Sequence, residues 1–321
     1  MNTKTKIWVK IPCDTQVKKE LTERFDQTCM FGFEDGEMQF PYEQVEVIIG
    51  EPDREEILAG KNIKWIQLTW AGVDKYIRNQ DIMANITLTN ASGAFGKIIA
   101  EYVIGMIISL YRDFPVYHAN QREHVWMKNN ATYTIYGKQV LILGTGDIGR
   151  NIAHRLKGFE AHVTGIRRRK ADVKIDGFEH VYDLSSLDDL IPEADIVIGC
   201  LPGTAETKGL IGYDQLKSMK KDAVLINVGR GSLIDTDALI EIMKSGHLKG
   251  VALDVLSEEP LNPESALWDM ENVIITPHIA GPSFGGNPDV QNTIWKMCME
   301  NIDRYVHGRN LMNVVDFSRG Y

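Results

Sequence analysis

The sequence predicts an α/β protein built on parallel β-sheets, and three observations lead to this fold class. Short apolar strands alternate with helical patterns over residues 7–88, which is typical of a parallel sheet covered by helices. A glycine-rich turn joins the apolar run 140–143 to an amphipathic helix. Four more strand patterns lie within residues 196–275. With 321 residues, the chain is long enough for two domains of ordinary size.

The composition excludes several classes of function. A net charge of −9 argues against a nucleic-acid-binding surface, although a local pocket could still bind a small anion. The 4 cysteines form no C-x-x-C pair and the 8 histidines no H-E-x-x-H motif, so no metal site is predicted. No apolar stretch approaches membrane-spanning length. We therefore expect a cytoplasmic protein with reduced thiols and no membrane partner.

The first 90 residues predict a repeated unit of strand and helix. Apolar residues alternate over 7–11 and then recur at helical spacing over 17–25, behind a cap at Asp14 or Thr15. Further strands are predicted at 45–49, 63–68 and 86–88, and short helices at 54–58 and 73–77.

Two stretches of this half carry further expectations. The turn 69–74 contains Gly72 at the end of a predicted strand, where backbone N–H groups could bind an anionic substrate. The alternative is an ordinary turn in which Trp70 packs into the core. Residues 95–117 predict one long helix, apolar on more than one face, in which Glu101 forms a structural ion pair or hydrogen bond.

The glycine-rich turn has the spacing G-x-G-x-x-G at Gly144, Gly146 and Gly149. The first glycine permits a tight turn, the second a close approach of the backbone to a pyrophosphate, and the third the packing of helix on strand. N–H groups at the start of the helix would then face the anion. A tight strand-to-helix connection without a ligand would also use these glycines, but the context favours nucleotide binding.

The next strand pattern, 161–166, ends in a run of basic residues, Arg167–Lys170. An NAD-binding fold usually has an acid at this position, which bonds the ribose 2′-hydroxyl. Guanidinium groups at Arg167 and Arg168 would instead pair with a 2′-phosphate. The sequence therefore favours NADP(H), with NAD(H) possible. The alternative is a solvated basic loop.

Arg230, Glu259 and His278 each come just past the end of a predicted strand. Because ligands bind outside the carboxyl ends of parallel strands, these three side chains are expected to converge. Singly, they could be a surface cation, a helix-start acid and a core histidine. Together they supply an anion anchor, a carboxylate and a proton donor, which carbonyl reduction requires.

Five ordered motifs carry a resemblance to a known family. They are Leu-Ile-Leu-Gly-Thr-Gly-Asp-Ile-Gly, Leu-Pro-Gly-Thr-Ala-Glu-Thr-Lys-Gly-Leu-Ile, Ile-Asn-Val-Gly-Arg-Gly, Leu-Asp-Val-Leu-Ser-Glu-Glu-Pro and Thr-Pro-His-Ile-Ala-Gly. With Ala-Gly-Val-Asp at 71–74, they resemble the D-isomer-specific 2-hydroxyacid dehydrogenase family. The arginine run and the closing Ser-Arg-Gly-Tyr look most like its glyoxylate and hydroxypyruvate reductase A branch.

The resemblance implies two Rossmann-like domains, with a coenzyme domain (95–285) inserted into a discontinuous substrate domain (1–94 and 286–321), and a homodimer. It implies reduction of a small 2-oxo acid to the D-2-hydroxy acid, with His278 as acid/base, Glu259 as its partner and Arg230 orienting the keto acid. The implied substrate contacts are Ala71, Gly72, Val73, Arg230 and His278. The implied cofactor contacts are Gly144, Thr145, Gly146, Asp147, Ile148, Gly149, Arg167, Arg168, Leu201, Pro202, Thr207, Val228, Gly229, Arg230, Asp254, His278, Ala280 and Gly281.

Two alternatives and one departure from the family pattern stay open. The chain could be a phosphoglycerate dehydrogenase-like enzyme, or a dinucleotide-sensing scaffold similar to the family's corepressor members. Residues 282–288 are richer in glycine and proline than expected before the closing helix, with Asn287 as a late cap and Pro288 at the first helical position. Phe284 in this loop is expected to shape the pocket, and the sequence does not rank glyoxylate against hydroxypyruvate.

Overall fold

The computed structural model describes residues 4–36, 40–128, 132–169 and 174–320. Lys170 of the basic run and Tyr321 of the closing motif lie outside the described residues. The strands are β1 (Thr5–Lys10), β2 (Cys29–Phe33), β3 (Val47–Gly50), β4 (Trp65–Gln67), β5 (Thr87–Thr89), β6 (Gln139–Leu143), β7 (His162–Arg167), β8 (His180–Asp183), β9 (Ile196–Gly199), β10 (Val224–Asn227), β11 (Gly250–Leu253) and β12 (Val273–Ile275).

The α-helices alternate with these strands through most of the chain. They are α1 (Thr15–Arg24), α2 (Arg54–Ala59), α3 (Asp74–Ile77), α4 (Gly96–Tyr111), α5 (Phe114–Arg122), α6 (Asp147–Lys157), α7 (Leu187–Leu190), α8 (Tyr213–Ser218), α9 (Thr236–Lys244) and α10 (Pro288–Val306). None of the helices in the described part of the chain combines the length and apolarity needed to cross a membrane.

The strands form two sheets, and every pairing in them is parallel. The first sheet has the order β2-β1-β3-β4-β5, and the second has the order β12-β11-β10-β9-β6-β7-β8. The predicted α/β fold with parallel sheets is therefore confirmed. β2, which the periodicity analysis omitted, pairs with β1 at the edge of the first sheet.

The chain divides into two compact units. One unit contains Met1–Ala94 and Pro282–Tyr321, and the other contains Phe95–Gly281. The family resemblance implied divisions near residues 94 and 285. The return to the first unit comes at Pro282 because Phe284 already packs against Trp295 of α10, with the ring centroids 5.7 Å apart.

The long helix expected over residues 95–117 is wrong in one respect, since it is two helices. α4 ends at Tyr111, and Asp113 adopts a left-handed conformation with φ of 53° before α5 begins. The Lys249 Nζ lies 2.5 Å from the Asp113 Oδ1, and both side chains are largely buried. This ion pair stabilises the break between the two helices. The structural role expected for Glu101 is confirmed, because its carboxylate pairs with Arg155 at 3.0 Å.

A buried polar network ties α10 to the sheet of the first unit. Asn301 donates through Nδ2 to Gln67 Oε1 (2.8 Å) and to the Met312 carbonyl (3.2 Å), and its Oδ1 accepts the Met312 N–H (2.8 Å). Thr89 Oγ1 also donates to Gln67 Oε1, and Trp65 Nε1 donates to Thr89 Oγ1, both at 2.8 Å. Because each polar group has a partner, the network is compatible with full burial.

Replacing Asn301 with leucine is therefore expected to lower the free energy of unfolding by about 2 to 4 kcal/mol. The change leaves the buried amide of Gln67 and the half-buried backbone groups of Met312 without their partner. Urea unfolding followed by circular dichroism measures the loss. The exposed Asn310 provides the control, and Asn310→Ala should stay within about 0.5 kcal/mol of the parent. Equal stability of N301L and the parent would contradict the role of the network.

Candidate active site

The three glycines of the turn between β6 and α6 meet different steric demands. Gly144 has φ of +115°, and a Cβ there would lie 2.9 Å from the Cys200 carbonyl oxygen. A Cβ on Gly149 would lie 1.9 Å from the Gly144 carbonyl oxygen. By contrast, a Cβ on Gly146 would meet nothing within 4 Å. The turn therefore leaves open space beside the first N–H groups of α6, which is the cradle that a pyrophosphate needs.

This turn also lies where the order of the second sheet reverses. β7 and β8 lie on one side of β6, and β9 to β12 lie on the other. The carboxyl ends of β6 and β9 are held in register, with Leu143 opposite Gly199. In open parallel sheets, ligands bind at such a switch point. The second unit thus has the backbone geometry that a dinucleotide requires.

The carboxylate of Asp147, a predicted cofactor contact, forms hydrogen bonds with groups of the protein itself. Oδ2 accepts the N–H of Gly96 at 2.9 Å, and Oδ1 accepts from Asn151 Nδ2 at 3.1 Å. The carboxylate thereby satisfies one of the first N–H groups of α4. Only the backbone of Asp147, at the start of α6, remains for an anion. Thr145 and Ile148 beside it are half-buried.

Guanidinium groups take the place of the acid expected at the end of β7 in an NAD-binding fold. Arg167 is the last residue of β7 and is half-buried. Arg168 Nε lies 3.1 Å from Glu206 Oε2 in the loop after β9. Asp183, which is opposite Arg167 in the next strand, instead caps the N–H of Ser185. Two cations therefore stand at this strand end, one of them positioned by a carboxylate.

The loop after β9 is held by Thr207. Its hydroxyl donates to the Pro202 carbonyl at 2.7 Å and accepts the N–H of Thr204 at 2.9 Å. Leu201 is buried at the base of this loop, and a Cβ on Gly229 would lie 2.6 Å from the Leu201 carbonyl oxygen. The predicted contacts Leu201, Pro202 and Thr207 thus form one ordered loop beside the buried residues Val228 and Gly229.

Arg230, Glu259 and His278 follow three neighbouring strands. Asn227 at the end of β10 is opposite Leu253 of β11, which is opposite Ile275 of β12. All three residues therefore lie on the side of the second sheet where the carboxyl ends of its strands meet. The loop of Arg230 also approaches the loop of Glu259, at Gly231 and Leu256.

His278 and Glu259 form a direct pair. His278 Nδ1 lies 2.9 Å from Glu259 Oε2, and Glu259 Oε1 accepts the N–H of Leu256 at 3.0 Å. The His278 side chain is 52% exposed, so it is not the core histidine of the alternative interpretation. Because a carboxylate is an acceptor, the proton on Nδ1 is directed at Glu259 and Nε2 is left for another partner.

The backbone around Arg230 approaches the loop that carries Glu259. A Cβ on Gly231 would lie 1.9 Å from the carbonyl carbon of Leu256, so only glycine fits there. The Arg230 carbonyl accepts from Asn227 Nδ2 at 2.9 Å, and its Nη1 donates to the Gly229 carbonyl at 2.9 Å. The half-buried guanidinium is thus anchored at the same sheet edge as the His278 and Glu259 pair.

Asp254 lies directly after β11 and is buried, with 3% exposure. Its Oδ1 accepts the N–H of Ile279 at 2.8 Å, and its Oδ2 accepts the N–H of Ala280 at 2.9 Å. Ala280 is buried, and a Cβ on Gly281 would lie 2.9 Å from Ile99. This predicted cofactor contact therefore also binds the backbone directly after His278.

The turn 69–74 belongs to the first unit. Glu51 Oε1 accepts both the N–H and the hydroxyl of Thr69, at 2.7 and 2.9 Å. Burial raises the pKa of the Glu51 carboxyl group. Asn90 donates to the Ala71 carbonyl at 2.9 Å. Trp70 is 44% exposed, so the alternative in which it packs into the core is wrong.

Within this turn, Ala71 and Gly72 are half-buried and Val73 is buried at the start of α3, which is a single turn of helix. The predicted late start of the closing helix is confirmed: Asn287 Oδ1 caps the N–H groups of Asp289 and Val290, with Pro288 at the first helical position. Across residues 4–36, 40–128, 132–169 and 174–320, no three His, Cys, Asp or Glu side chains cluster as metal ligands.

The chain is similar to known proteins, and these share a family. Residues 104–280 match the family model for the NAD-binding domain of D-isomer specific 2-hydroxyacid dehydrogenases. A glyoxylate reductase of Pyrococcus horikoshii is 33% identical over 234 residues, 70% of this chain and 69% of that one. A D-3-phosphoglycerate dehydrogenase of Archaeoglobus fulgidus is 30% identical over 272 residues, 82% of this chain and 49% of that one.

The fold is also similar to that of a solved enzyme. The crystal structure of an NADPH-dependent glyoxylate/hydroxypyruvate reductase from Sinorhizobium meliloti, in complex with NADP and sulfate, superposes with a TM-score of 0.82. The two sequences are 25% identical, and the match covers 99% of this chain and 100% of that chain.

Proposed function

Because this chain belongs to the D-isomer specific 2-hydroxyacid dehydrogenase family of NAD(P)-dependent oxidoreductases, we propose that it reduces a small 2-oxo acid, such as glyoxylate or hydroxypyruvate, to the D-2-hydroxy acid. The observation that carries the proposal is the pair of His278 and Glu259, 2.9 Å apart, on a sheet edge that also carries Arg230. A proton donor with a carboxylate partner and a nearby cation is the set that reduction of a keto acid needs.

In the proposed reaction, His278 is the general acid. Glu259 holds the imidazole through Nδ1, so Nε2 carries the proton that passes to the carbonyl oxygen of the substrate. The Leu256 N–H keeps the Glu259 carboxylate in place. Arg230 binds the substrate carboxylate and stabilises the negative charge that develops on the carbonyl oxygen. A reduced nicotinamide, when bound, supplies the hydride.

The cofactor proposed is NADP(H), with NAD(H) as a weaker alternative. The cradle at Gly146 would hold the pyrophosphate against the start of α6. Arg167 and Arg168 would pair with the 2′-phosphate. The similar enzyme of Sinorhizobium meliloti is NADPH-dependent and was solved with NADP, which supports the choice of cofactor. The loop of Leu201, Pro202 and Thr207 would face the adenosine.

The first unit is proposed to be the substrate domain, and its turn 69–74 the second anchor for the substrate. The backbone N–H groups of Gly72 and Val73 would bind the substrate carboxylate, while Glu51 holds the turn through Thr69.

We also propose that the protein is located in the cytoplasm.

The test of the function is a spectrophotometric assay with purified protein, NADPH or NADH, and a panel of 2-oxo acids. The panel should contain glyoxylate, hydroxypyruvate, pyruvate and 3-phosphohydroxypyruvate. Loss of absorbance at the reduced-nicotinamide band with the first two acids supports the proposal. A clear preference for the phosphorylated acid would favour a phosphoglycerate dehydrogenase. Absence of turnover with every acid would favour a dinucleotide-sensing scaffold.

We further propose that the protein is a homodimer that associates through the second unit. Phe114, the first residue of α5, is exposed, and so are Trp126 (98%) and Met127, which follow this helix in the chain. β12 is an edge strand of the second sheet, and its residues line a shallow groove together with residues of α4 and α5. Apolar side chains and an open strand edge of this kind are typical of an interface.

Trp126→Ser is accordingly expected to weaken the dimer at least about tenfold, since exposed tryptophans are frequent anchors of interfaces. Sedimentation velocity over a range of protein concentrations measures the dissociation constant. Tyr182, which is also exposed but lies on β8 at the opposite edge of the second sheet from β12, gives the control variant Tyr182→Ser. A parent protein that sediments as a monomer at micromolar concentration would refute the dimer.

A further inference from the structure

The turn that carries His278 is bound on both sides by one buried carboxylate. Besides the N–H groups of Ile279 and Ala280, Asp254 Oδ1 accepts the hydroxyl of Thr276 at 2.7 Å. The Asp254 carbonyl also accepts the N–H of His278 at 2.9 Å. A buried carboxylate needs such donors, and the turn needs a fixed acceptor. Asp254 therefore contacts four polar groups within residues 276–280, around the general acid.

The hydrogen bonds continue beyond Thr276. Tyr102 Oη, on α4, lies 2.6 Å from Thr276 Oγ1. A threonine hydroxyl has one proton, and that proton points at Asp254, so Tyr102 is the donor in the second bond. Burial raises the pKa of Tyr102 to about 12, so the phenol keeps its proton under all ordinary assay conditions. The chain of donors runs in one direction, from Tyr102 to Thr276 to Asp254.

The backbone at His278 needs this support. His278 has φ of 56°, a left-handed conformation that is unfavourable for a residue with a side chain. Such a conformation persists only when neighbouring interactions hold it. The bonds of Asp254 to Ile279 and Ala280, directly after His278, are the interactions that do so here.

We propose that Tyr102, Thr276 and Asp254 form a hydrogen-bonded bracket that keeps the Thr276–Ala280 turn in the conformation pairing His278 with Glu259. Tyr102 and Thr276 are then positioning residues, which act on the reaction through His278 and touch no reacting atom. The catalytic part of this inference rests on the proposed function. Its structural part, the effect on the turn, does not.

The first test uses isosteric changes at Thr276 and kinetics with the 2-oxo acid that the parent reduces. Thr276→Val removes the hydroxyl and should lower kcat about tenfold while KM for NADPH stays within about twofold. Thr276→Ser restores the hydroxyl and should recover kcat to within about threefold of the parent. Tyr102→Phe, which removes only the outer bond, should lower kcat about threefold to fivefold. Tyr111→Phe, on the same helix, is the matched control and should leave kcat unchanged.

The second test does not depend on activity. Amide hydrogen exchange at Ile279 and Ala280 should be about tenfold faster in Thr276→Val and in Tyr102→Phe than in the parent, and unchanged in Tyr111→Phe. A parent without turnover on any 2-oxo acid would end the proposed function, yet this exchange measurement would still decide the bracket. Equal exchange at both amides in the parent, T276V and Y102F would overturn it, as would a Thr276→Ser variant no more active than Thr276→Val.

Discussion

Replacement of His278 with alanine is expected to lower kcat for reduction of the 2-oxo acid by about 10²- to 10⁴-fold, the range for a positioned general acid. The variant loses the imidazole that pairs with Glu259, and the alanine that replaces it cannot donate a proton to the carbonyl oxygen. Binding of NADPH, measured by fluorescence titration, should change by no more than a few-fold. Steady-state kinetics with glyoxylate and hydroxypyruvate measure the effect.

Variants of the two adjacent acids, Glu258 and Glu259, distinguish a specific role of Glu259 from a general effect of losing one negative charge. Glu259→Gln should reduce kcat substantially, because an amide is a weaker partner for the imidazole Nδ1 than a carboxylate. Glu258→Gln removes the same charge one residue away, where the side chain is exposed, and should behave as the parent. If His278→Ala retains turnover within a few-fold of the parent, the assignment of the general acid is wrong.

The second large effect concerns the choice of cofactor. Arg167→Asp combined with Arg168→Ala is expected to weaken NADPH binding by about 10²-fold, which corresponds to the loss of two charge-assisted hydrogen bonds worth about 3 kcal/mol together. NADH should be affected only several-fold, because the ribose 2′-hydroxyl carries no charge to pair with a guanidinium, and Asp at 167 can accept its hydrogen bond. Dissociation constants for both cofactors come from fluorescence titration or calorimetry.

The exposed Arg169 gives the control for net charge. Arg169→Ala removes one positive charge from the same strand end and should weaken both cofactors by a similar, small factor. Glu206 offers a further comparison, because its carboxylate pairs with Arg168 at 3.1 Å. Equal weakening of NADPH and NADH by the double change would remove the reason to prefer the phosphorylated cofactor.

Local patterns predicted much of the fold and of the candidate site. The apolar run 140–143 predicts a buried strand, because the strands of a parallel sheet are covered on both faces and are apolar at successive positions. The spacing G-x-G-x-x-G predicts the tight turn that follows this strand. Arg230, Glu259 and His278 could be grouped because the carboxyl ends of parallel strands share an edge. The pairing of His278 with Glu259 agrees with that expectation.

Other features were missed or had no local signal. The periodicity over 95–117 is compatible with one helix, and the local signal for the break was Pro115, which lies in the first turn of α5. Lys249, which pairs with Asp113 from 136 residues away in the chain, could not be assigned as its partner from the sequence. Asp147 looked like part of the cofactor motif, yet its side chain binds the N–H of Gly96. The interpretation in which Trp70 packs into the core was wrong, because a single aromatic residue in a turn carries no periodicity that assigns it to core or surface.

The sequence by itself determined most of the strand and helix pattern, the glycine turn, the guanidinium groups at the end of β7 and the residue types of the proposed chemistry. These depend on side-chain size, charge and periodicity within a few residues. Only the tertiary structure decided which buried polar groups meet, as when Tyr102 reaches Thr276 across 174 positions and Asp254 binds the turn at His278. The physical reason is that a hydrogen bond requires two atoms within about 3 Å, and no local pattern specifies a partner that the fold brings from a distant segment.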